Sequence, residues 1–365
     1  MTKMNGSATP GGAKTNAKQV MIALAAIIMI SVAFLNYGCS GPESQPGQAV
    51  EDTSINYVAE LMGEEKVWLA PDVSTIPAGE EGQMIRYGRT LIVHTSKYYG
   101  PKGSINHSTN GMNCQNCHLD AGTKPYGNNL GAVTSTYPKF MPRFGAVQSV
   151  PDKVNDCFTR SMNGDAIDTA GKEMTAIIAY LDWLGKDVKK GETPVGSGGI
   201  KAPQLIDRAA DPANGKLVYT QFCARCHGAD GQGQFTVDVM KDPAKQQGGT
   251  ATAEDLYYYP PLWGAKSFNG VATLYRLSKF AGFVQHNMPY PIDFKNTVLT
   301  DEQAWDVAAY VNSLDRPIKD HSKDYVTDIS KKPFDFPFGP FADNFPELQH
   351  KFGPYKDMPS AKHKK

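Results

Sequence analysis

The pentapeptide Cys-x-x-Cys-His occurs twice in this chain, at residues 114–118 and again at residues 223–227. Two cysteines separated by two residues and followed directly by histidine are the attachment site of a c-type haem. The thiols add across the two vinyl groups of one porphyrin, and the adjacent imidazole becomes a ligand of its iron. A redox dithiol or half of a zinc site also uses a Cys-x-x-Cys pair, but repetition of the whole pattern favours haem. We therefore expect two covalently bound c-type haems, with His118 and His227 as proximal ligands.

The cysteine count leaves two thiols outside these motifs. The chain has six cysteines. The four that we expect to attach haem are Cys114, Cys117, Cys223 and Cys226. Cys39 lies at the end of the N-terminal leader, and Cys157 stands alone between the motifs. A disulfide between Cys157 and Cys39, or a buried inert thiol, is one interpretation of Cys157, and a thiolate close to a haem is the other.

The N-terminus has the pattern of an export signal. Three lysines precede an apolar run from Val20 to Leu35, and Gly38-Cys39 follows it. A charged region, an apolar region and a small residue before a cleavage point are typical of a signal peptide. Gly38-Cys39 further suggests lipoprotein cleavage and a lipid on Cys39. An uncleaved anchor is the alternative, although the run falls just short of the roughly 17–25 residues that span a bilayer. We expect an exported, periplasmic protein that is membrane-anchored through Cys39.

Composition limits the classes of function. The 37 basic and 37 acidic residues cancel, so no charge excess points to nucleic-acid binding. A hydrophobic content of 41% is sufficient for packed cores in a chain of 365 residues, which has room for two modest domains. The 35 glycines and 25 prolines indicate long loops between the helices.

A repeated pair of helical patterns predicts two similar domains. Apolar residues recur at helical spacing in residues 176–184 and 306–314, and a glycine-containing helical segment precedes each haem motif, at residues 87–91 and 214–218. Gly88 and Gly215 in those segments would let two helices approach closely. Thr300, three residues before Gln303, is expected to cap the last helix. The order helix, haem motif, loop, axial ligand, helix resembles the cytochrome c fold.

The expected fold is mostly α, with two cytochrome c-like domains, long loops and an extended C-terminal arm. The expected boundaries are 1–38 for the signal peptide, 39–55 for a tether, 56–190 and 207–316 for the two domains, 191–206 for a linker and 317–365 for the C-terminal extension.

Each iron needs a sixth ligand or an open site. For the second haem we expect Met288, which lies in the loop before the last helix and whose thioether would raise the reduction potential of the haem. Met240 and His286 are the alternatives. For the first haem, Cys157, Met162 and Met141 are the candidates.

Three segments and the C-terminal extension carry a specific resemblance. Cys-His-Leu-Asp-Ala-Gly-Thr-Lys-Pro (117–125), Tyr-Pro-Lys-Phe-Met-Pro-Arg (137–143) and Asn-Asp-Cys-Phe-Thr-Arg-Ser-Met-Asn-Gly (155–164) resemble the thiosulfate dehydrogenase family of dihaem cytochromes c. Residues 332–343 and 349–354 are similar to the C-terminal extension of that family. The resemblance covers roughly residues 56–355.

The resemblance implies a function and a set of ligands. The family joins two thiosulfates into tetrathionate, or acts in reverse as a tetrathionate reductase, and passes the electrons to a small cytochrome or a similar redox protein. It implies His118 and Cys157 as ligands of the active-site haem, and His227 and Met288 as ligands of the electron-transfer haem. The family often has lysine directly before that methionine, where this chain has Asn287.

Basic residues around Cys157 are candidates for binding a sulfur anion. Two unit charges 4 Å apart repel by about 1 kcal/mol in water and by more in a drier pocket, so two dianions need cations nearby. The candidate residues from the first haem motif to just beyond Cys157 are Lys124, Lys139, Arg143, Lys153, Arg160 and Ser161. The resemblance favours Lys124 and Arg143, and it places an arginine where this chain has Lys153. Each cation could instead be a solvated surface charge, and Ser161 could simply cap a turn.

Three other functions remain open from sequence alone. They are a pure dihaem electron-transfer cytochrome, a haem–cysteine subunit that transfers thiosulfate to a carrier protein, and a dihaem peroxidase.

Overall fold

The computed structural model of the protein describes residues 66–246 and 251–358. These residues belong to one compact unit, Met62–Lys365. The predicted signal peptide, the tether, Cys39 and the basic C-terminal end lie outside the described residues. Within the described part, no helix is both long enough and apolar enough to cross a membrane.

The described fold is mostly helical, as predicted. The helices are α1 Gly79–Val93, α2 Thr95–Tyr99, α3 Val133–Thr136, α4 Val150–Asp156, α5 Lys172–Leu184, α6 Pro212–Phe222, α7 Ala224–His227, α8 Thr236–Val239, α9 Leu277–Asn287, α10 Asp301–Ser313 and α11 Glu347–Phe352. Short 3-10 turns occur at Val73–Thr75, Cys114–Asn116, Pro243–Lys245, Thr273–Tyr275 and Ile329–Lys331, and a π-helical turn spans Cys157–Ser161.

The described strands form two small antiparallel sheets of two strands each. They are β1 Lys139–Met141 with β2 Ala146–Gln148, and β3 Gln234–Phe235 with β4 Tyr257–Tyr259. Phe140 pairs with Val147 across the first hairpin, and both side chains are exposed. This hairpin places Lys139 in the lining of a cavity that also contains Cys114 and His118.

Each haem motif is framed by two helices that cross at a glycine. In the first domain α1 packs on α5, and in the second α6 packs on α10. A Cβ atom on Gly88 would lie 1.9 Å from the carbonyl oxygen of Ala176, and one on Gly215 would lie 1.9 Å from that of Asp306. Only glycine permits this approach of the two backbones, so the predicted close contact is confirmed in both domains.

Local capping signals determine where the helices of the second domain begin. Thr300 and Gln303 form a reciprocal capping box at the start of α10, as the sequence predicts. Asp211 caps α6 by accepting a hydrogen bond from the Ala213 amide, and Pro212 occupies the first turn. α6 therefore leads directly into the second haem motif at Cys223.

The helix crossings are buried in apolar cores. Leu91, Ile177 and Tyr180 are among the buried residues between α1 and α5, whereas Tyr219 and Trp305 are buried at the crossing of α6 and α10. The second core also includes Met112, Leu119 and Met162 from the first domain. The two domains therefore pack against each other through apolar side chains.

A buried aspartate joins the second domain to the first haem motif. Asp255 accepts a hydrogen bond from the side-chain amide of Asn113 at 2.9 Å and contacts Nδ1 of His94 at 2.9 Å. The amide of Thr252 donates to Oδ2 of Asp255 at 2.8 Å, the same oxygen that His94 contacts. The loop at residues 251–256 therefore holds the segment directly before Cys114.

The C-terminal arm packs along the body. Phe334 and Phe336 are buried, and Asp335 between them is 1% exposed. Asp335 accepts hydrogen bonds from Arg276 Nε at 2.9 Å, from the Ser278 amide at 3.0 Å and from the Ser278 hydroxyl. The arm thus anchors the start of α9, the helix that precedes Met288.

Gly215→Ala tests the helix crossing. The added methyl group has no space against the Asp306 carbonyl, and we expect the free energy of unfolding of the holoprotein to fall by about 1–3 kcal/mol. Urea denaturation followed by circular dichroism measures the change. Lys216→Ala, at the exposed neighbouring position of α6, is the control and should remain within about 0.5 kcal/mol of wild type. Equal stabilities for both variants would contradict the close contact.

Asp335→Asn tests the anchor of the arm and predicts a pH dependence. Burial opposes ionisation of Asp335, but Arg276 and the Ser278 donors outweigh it, so its pKa lies below the usual range. A lowered carboxyl pKa stabilises the fold above the unfolded value of about 3.9, and this contribution is lost as the pH falls further through the folded pKa.

We expect Asp335→Asn to cost about 3 kcal/mol at pH 7 because it leaves Arg276 without its carboxylate. The difference from wild type should shrink below about pH 4 in urea titrations at several pH values. Asp357→Asn, at an exposed position of the same arm, is the control. A cost for Asp335→Asn that is independent of pH would exclude an ionised anchor.

Candidate active site

The two Cys-x-x-Cys-His motifs have the same backbone geometry. In the first, the amide of His118 donates to the Cys114 carbonyl at 2.9 Å, and in the second, the amide of His227 donates to that of Cys223, also at 2.9 Å. The described cysteines are all free thiols. Each motif therefore presents two thiols and an imidazole from a single turn of the chain, as haem attachment requires.

Both histidines are oriented by a backbone carbonyl. Nδ1 of His118 lies 2.5 Å from the Asn128 oxygen, and Nδ1 of His227 lies 2.8 Å from the Pro260 oxygen. A carbonyl only accepts hydrogen bonds, so Nδ1 carries the proton and Nε2 keeps its lone pair. Metal-binding histidines are held in this way. Burial also lowers the pKa of His118 to about 4 and lowers that of His227, which keeps both rings neutral.

The cavities around the motifs provide space for the porphyrins. The second motif opens onto an apolar cavity that also contains Met288. The first motif borders two adjoining cavities, and His118 and Cys157 line both of them. Imidazoles with a free Nε2, unbridged thiols and an apolar cavity beside each motif fit two c-type haems.

Cys157 lies at the start of the π-helical turn that continues α4. Ser149 and Asp152 form a capping box at the beginning of α4, and the helix delivers Cys157 to the cavity. The wide π turn also brings Ser161 to that cavity, where its side chain hydrogen-bonds with Cys157. Isolated π turns are frequent at functional sites because they change the direction of side chains within a helix.

Two lysines accompany Cys157. Lys139 and Lys153 line the same cavity as Cys157 and His118, and Nζ of Lys139 lies 4.7 Å from the centre of the Tyr137 ring. Burial raises the pKa of the Cys157 thiol, while the positive charge of Lys153 acts in the opposite direction. The site therefore combines a soft sulfur atom with two positive charges.

The second domain holds the turn that bears Cys157. The Asn269 amide donates to the Ser161 carbonyl at 3.2 Å, and its side-chain amide donates to Asn163 at 2.6 Å. Asn163 in turn donates to the Ser267 carbonyl at 2.9 Å. Asn269 is fully buried, so these bonds are shielded from water.

Arg143 lies near the Cys157 cavity but is already paired. It lines an adjoining cavity with Lys153, and its guanidinium contacts Asp324 at 2.7 Å and the Val271 carbonyl at 3.0 Å. Asp324 neutralises much of its charge. The position of Arg143 suits the rim of a binding site better than direct contact with Cys157.

Arg160 forms an ion pair outside the cavities of Cys157. Its Nη2 contacts Asp324 at 2.5 Å, and its side chain lines an open surface cleft rather than the cavities of Cys157. The π turn places Arg160 on a different side of the helix from Cys157 and Ser161. It acts with Arg143 to hold the C-terminal segment.

Lys124 lies on a different side of the first haem motif. Asp120 and Ala121 have left-handed backbone conformations, with φ of 55° and 58°, and the chain turns away after His118. Nζ of Lys124 donates to the Ile292 carbonyl at 2.6 Å and lies 4.7 Å from the centre of the Tyr290 ring. Lys124 therefore contacts the loop after Met288 and not the site around Cys157.

The alternatives for the sixth ligands are placed as follows. Met162 is buried and lines one of the cavities with Cys157, so it remains an alternative, whereas Met141 borders the cavity of Arg143. Met240 is partly exposed on the surface. His286 lies on α9 with Nδ1 2.8 Å from the Gly282 oxygen and its ring stacked on Tyr126.

Asn287, directly before Met288, is fully buried. Its amide donates to the carbonyls of Phe283 at 2.9 Å and Tyr126 at 3.2 Å. It therefore acts as a bridge between α9 and the first domain, a role that a lysine with its charge would not fill.

The cavities of the two motifs have a common wall. Met112, Cys117, Phe268 and Leu274 line both the cavity of His227 and one of the cavities of His118. The two haem sites are thus adjacent.

Asp324 and Asn269 were not among the sequence candidates. Each is distant in sequence from its partners, and neither lies in a recognisable motif. Only the three-dimensional arrangement brings them to the site.

The comparisons with known proteins agree with this architecture. Residues 212–315 match the cytochrome c family, and residues 105–189 match the family described as SoxA/TsdA, cytochrome c domain. The thiosulfate dehydrogenase of Psychrobacter arcticus is 35% identical over 249 residues, which cover 68% of each chain. That of Stutzerimonas stutzeri is 35% identical over 253 residues, covering 69% of this chain and 74% of the relative.

A solved structure shares the fold. The thiosulfate dehydrogenase TsdBA from Marichromatium purpuratum, in its as-isolated form, has a TM-score of 0.59 and 29% identity to this chain. The match covers 71% of this chain and 51% of the solved chain, so the present chain spans about half the length of that protein. With two cytochrome c domains, two haem attachment sites and these relatives, the chain belongs to the thiosulfate dehydrogenase family of dihaem c-type cytochromes.

Proposed function

We propose that this protein oxidises two thiosulfates to tetrathionate, or catalyses the reverse reaction, at a haem ligated by His118 and Cys157. The electrons pass through a second haem, ligated by His227 and Met288, to a small cytochrome or a similar redox protein. The observation that carries the proposal is the position of Cys157, which shares its cavities with His118 and two lysines.

The negative charge of the two substrates explains why lysines are needed at the site. Two thiosulfate dianions lose one electron each, a sulfur–sulfur bond forms, and a single tetrathionate dianion leaves. Repulsion between the dianions is strongest before the bond forms, and it grows as water is excluded. The ammonium groups of Lys139 and Lys153 lower this repulsion in the cavity of Cys157, where the thiosulfate sulfur must approach. Arg143 adds a partly neutralised charge at the adjoining cavity.

Cys157 is suited to two roles at this site. Its thiolate could hold the haem iron and would then donate electron density to it, and as a free thiolate its sulfur would be a soft nucleophile for a sulfane sulfur atom. The Lys153 ammonium and the Ser161 side chain both favour the thiolate, against the effect of burial. Each haem, when bound, takes up one electron, so two haems match the two-electron reaction.

The common wall between the cavities supports the electron relay. Because the cavities of the two motifs share lining residues, haems bound there would be neighbours, which suits direct electron transfer between them. Thioether ligation by Met288 favours the reduced state of the second haem, which suits electron export.

We propose further that the protein works outside the cytoplasm and is attached to the membrane through Cys39. The charged and apolar N-terminal residues and the Gly38-Cys39 pair support this. Metabolic labelling with a fatty acid should mark the wild-type protein and leave Cys39→Ala unlabelled. Equal labelling of both would reject the anchor.

Cys157→Ala tests the proposed active site. The variant should retain both haems and lose thiosulfate-dependent reduction of ferricyanide by at least about 10²-fold, the scale for removing one catalytic group. Low-temperature EPR should show a change at one haem only. Retained turnover would favour a pure electron-transfer cytochrome.

Met162→Leu is the matched control for that experiment, because Met162 lines the same cavity. We expect its EPR spectrum and its turnover to resemble wild type. If Met162→Leu changes one haem signal and Cys157→Ala changes neither, methionine is the ligand and the proposed site is wrong.

Asn269→Ala tests whether the second domain positions Cys157. Loss of the side-chain bond to Asn163 loosens the π turn, and we expect kcat/KM for thiosulfate to fall about tenfold, equivalent to about 1.4 kcal/mol. The EPR signal of the first haem should broaden while that of the second stays sharp. Asn296→Ala, at an exposed position, should change neither. An unaltered first-haem signal in Asn269→Ala would refute the positioning role.

A further inference from the structure

Arg316 is a buried guanidinium with incomplete hydrogen bonding. It lies just after α10, and its Nη2 donates to the Val311 carbonyl at 2.6 Å. Its Nε and Nη1 atoms are buried and have no hydrogen-bond partner within the described residues. The guanidinium lies 4.3 Å from the centre of the Phe268 ring and 5.1 Å from that of Tyr275.

Contacts with aromatic rings do not satisfy these donors. Rings attract the charge through their faces, but the hydrogens on Nε and Nη1 point outward in the guanidinium plane. Leaving buried charged donors without acceptors costs several kcal/mol. Burial also lowers the pKa of Arg316 to about 10, which is the expected effect on a guanidinium without a neighbouring anion.

Other arginines of the same region have carboxylate partners. Arg143 and Arg160 pair with Asp324, and Arg276 pairs with Asp335. No ion pair of the described residues involves Arg316. The two free donors of Arg316 therefore need a partner from outside the polypeptide, and an anion would also balance the charge.

The location of Arg316 indicates which anion this is. Phe268, the ring against which it packs, lines both the cavity of His227 and a cavity of His118. Every haem carries two propionate carboxylates, and arginine is the side chain best suited to bind a carboxylate in a buried site. We propose that Nε and Nη1 of Arg316 bind a haem propionate at the wall shared by the two cavities.

This contact would adjust the driving force between the haems. An electron that enters a haem adds negative charge, and a nearby guanidinium stabilises that state. Arg316 therefore raises the reduction potential of the haem whose propionate it binds relative to that of the other haem. The inference rests on the two haems and is independent of the sulfur compound that the protein oxidises.

An internal water is the competing explanation. Asn312 donates to the Tyr275 carbonyl at 3.1 Å, and its Oδ1 atom is buried without a partner. A water molecule between Asn312 and Arg316 would satisfy both side chains. Such a water would leave the potentials of the haems unaffected by substitution of Arg316 beyond general changes in stability.

Redox titration of the Arg316→Gln holoprotein, followed by absorbance and EPR, distinguishes a bound propionate from an internal water. The ferric/ferrous equilibrium of one haem should shift about tenfold toward ferric, which is 59 mV for one electron, and that of the other should shift less. The shifted signal identifies the haem. Arg316→Lys, which keeps the charge, should show a smaller shift.

Arg208→Gln is the matched control. Arg208 pairs with Asp306 on α10, so its guanidinium already has a carboxylate partner within the polypeptide. The Arg208→Gln substitution should reduce the stability of the protein and leave the reduction potentials of both haems unchanged. If Arg316→Gln behaves in the same way, the proposal is overturned.

If Arg316→Gln fails to fold, a crystal structure of the wild-type holoprotein tests the same proposal. A propionate oxygen within about 3.2 Å of Nε or Nη1 supports the proposal. Water or Asn312 on both atoms, with the propionates elsewhere, overturns it.

Discussion

The fold depends on two contacts between helix backbones, one in each domain. At Gly88 and Gly215 the neighbouring helix approaches so closely that a methyl group would overlap with a carbonyl oxygen. One helix of each pair leads toward the haem motif and the other follows the segment with the candidate sixth ligand. Because the crossing fixes both ends, the intervening chain can consist of long loops and still present its ligands at defined positions.

The chemistry of the first haem site is assembled from distant parts of the chain. Cys157 comes from the first domain, the bonds that hold its turn come from Asn269 in the second, and Asp324 in the C-terminal arm pairs with Arg143. The arm also anchors α9 through Asp335. The candidate ligands Cys157 and Met288 therefore depend on a segment that lies outside either cytochrome c domain.

The sequence predicted what is encoded locally. The haem motifs, the capping box at Thr300 and the crossing glycines are short patterns with a single physical meaning, and the structure contains them. Lys124 and Arg160 are close to Cys157 in sequence, but the structure directs their side chains to Ile292 and Asp324. A left-handed turn at Asp120 and a π turn after Cys157 redirect these two side chains, and neither turn has a clear sequence signature.

Asp255 has a consequence for how such a protein can change. This single carboxylate in the second domain receives Asn113 and His94 from the first, so the first haem motif is braced from across the domain boundary. Exchange of the second domain for another cytochrome c would remove that brace along with the redox centre. The two domains are therefore not interchangeable. Gene fusion or recombination would have to transfer both domains as one unit.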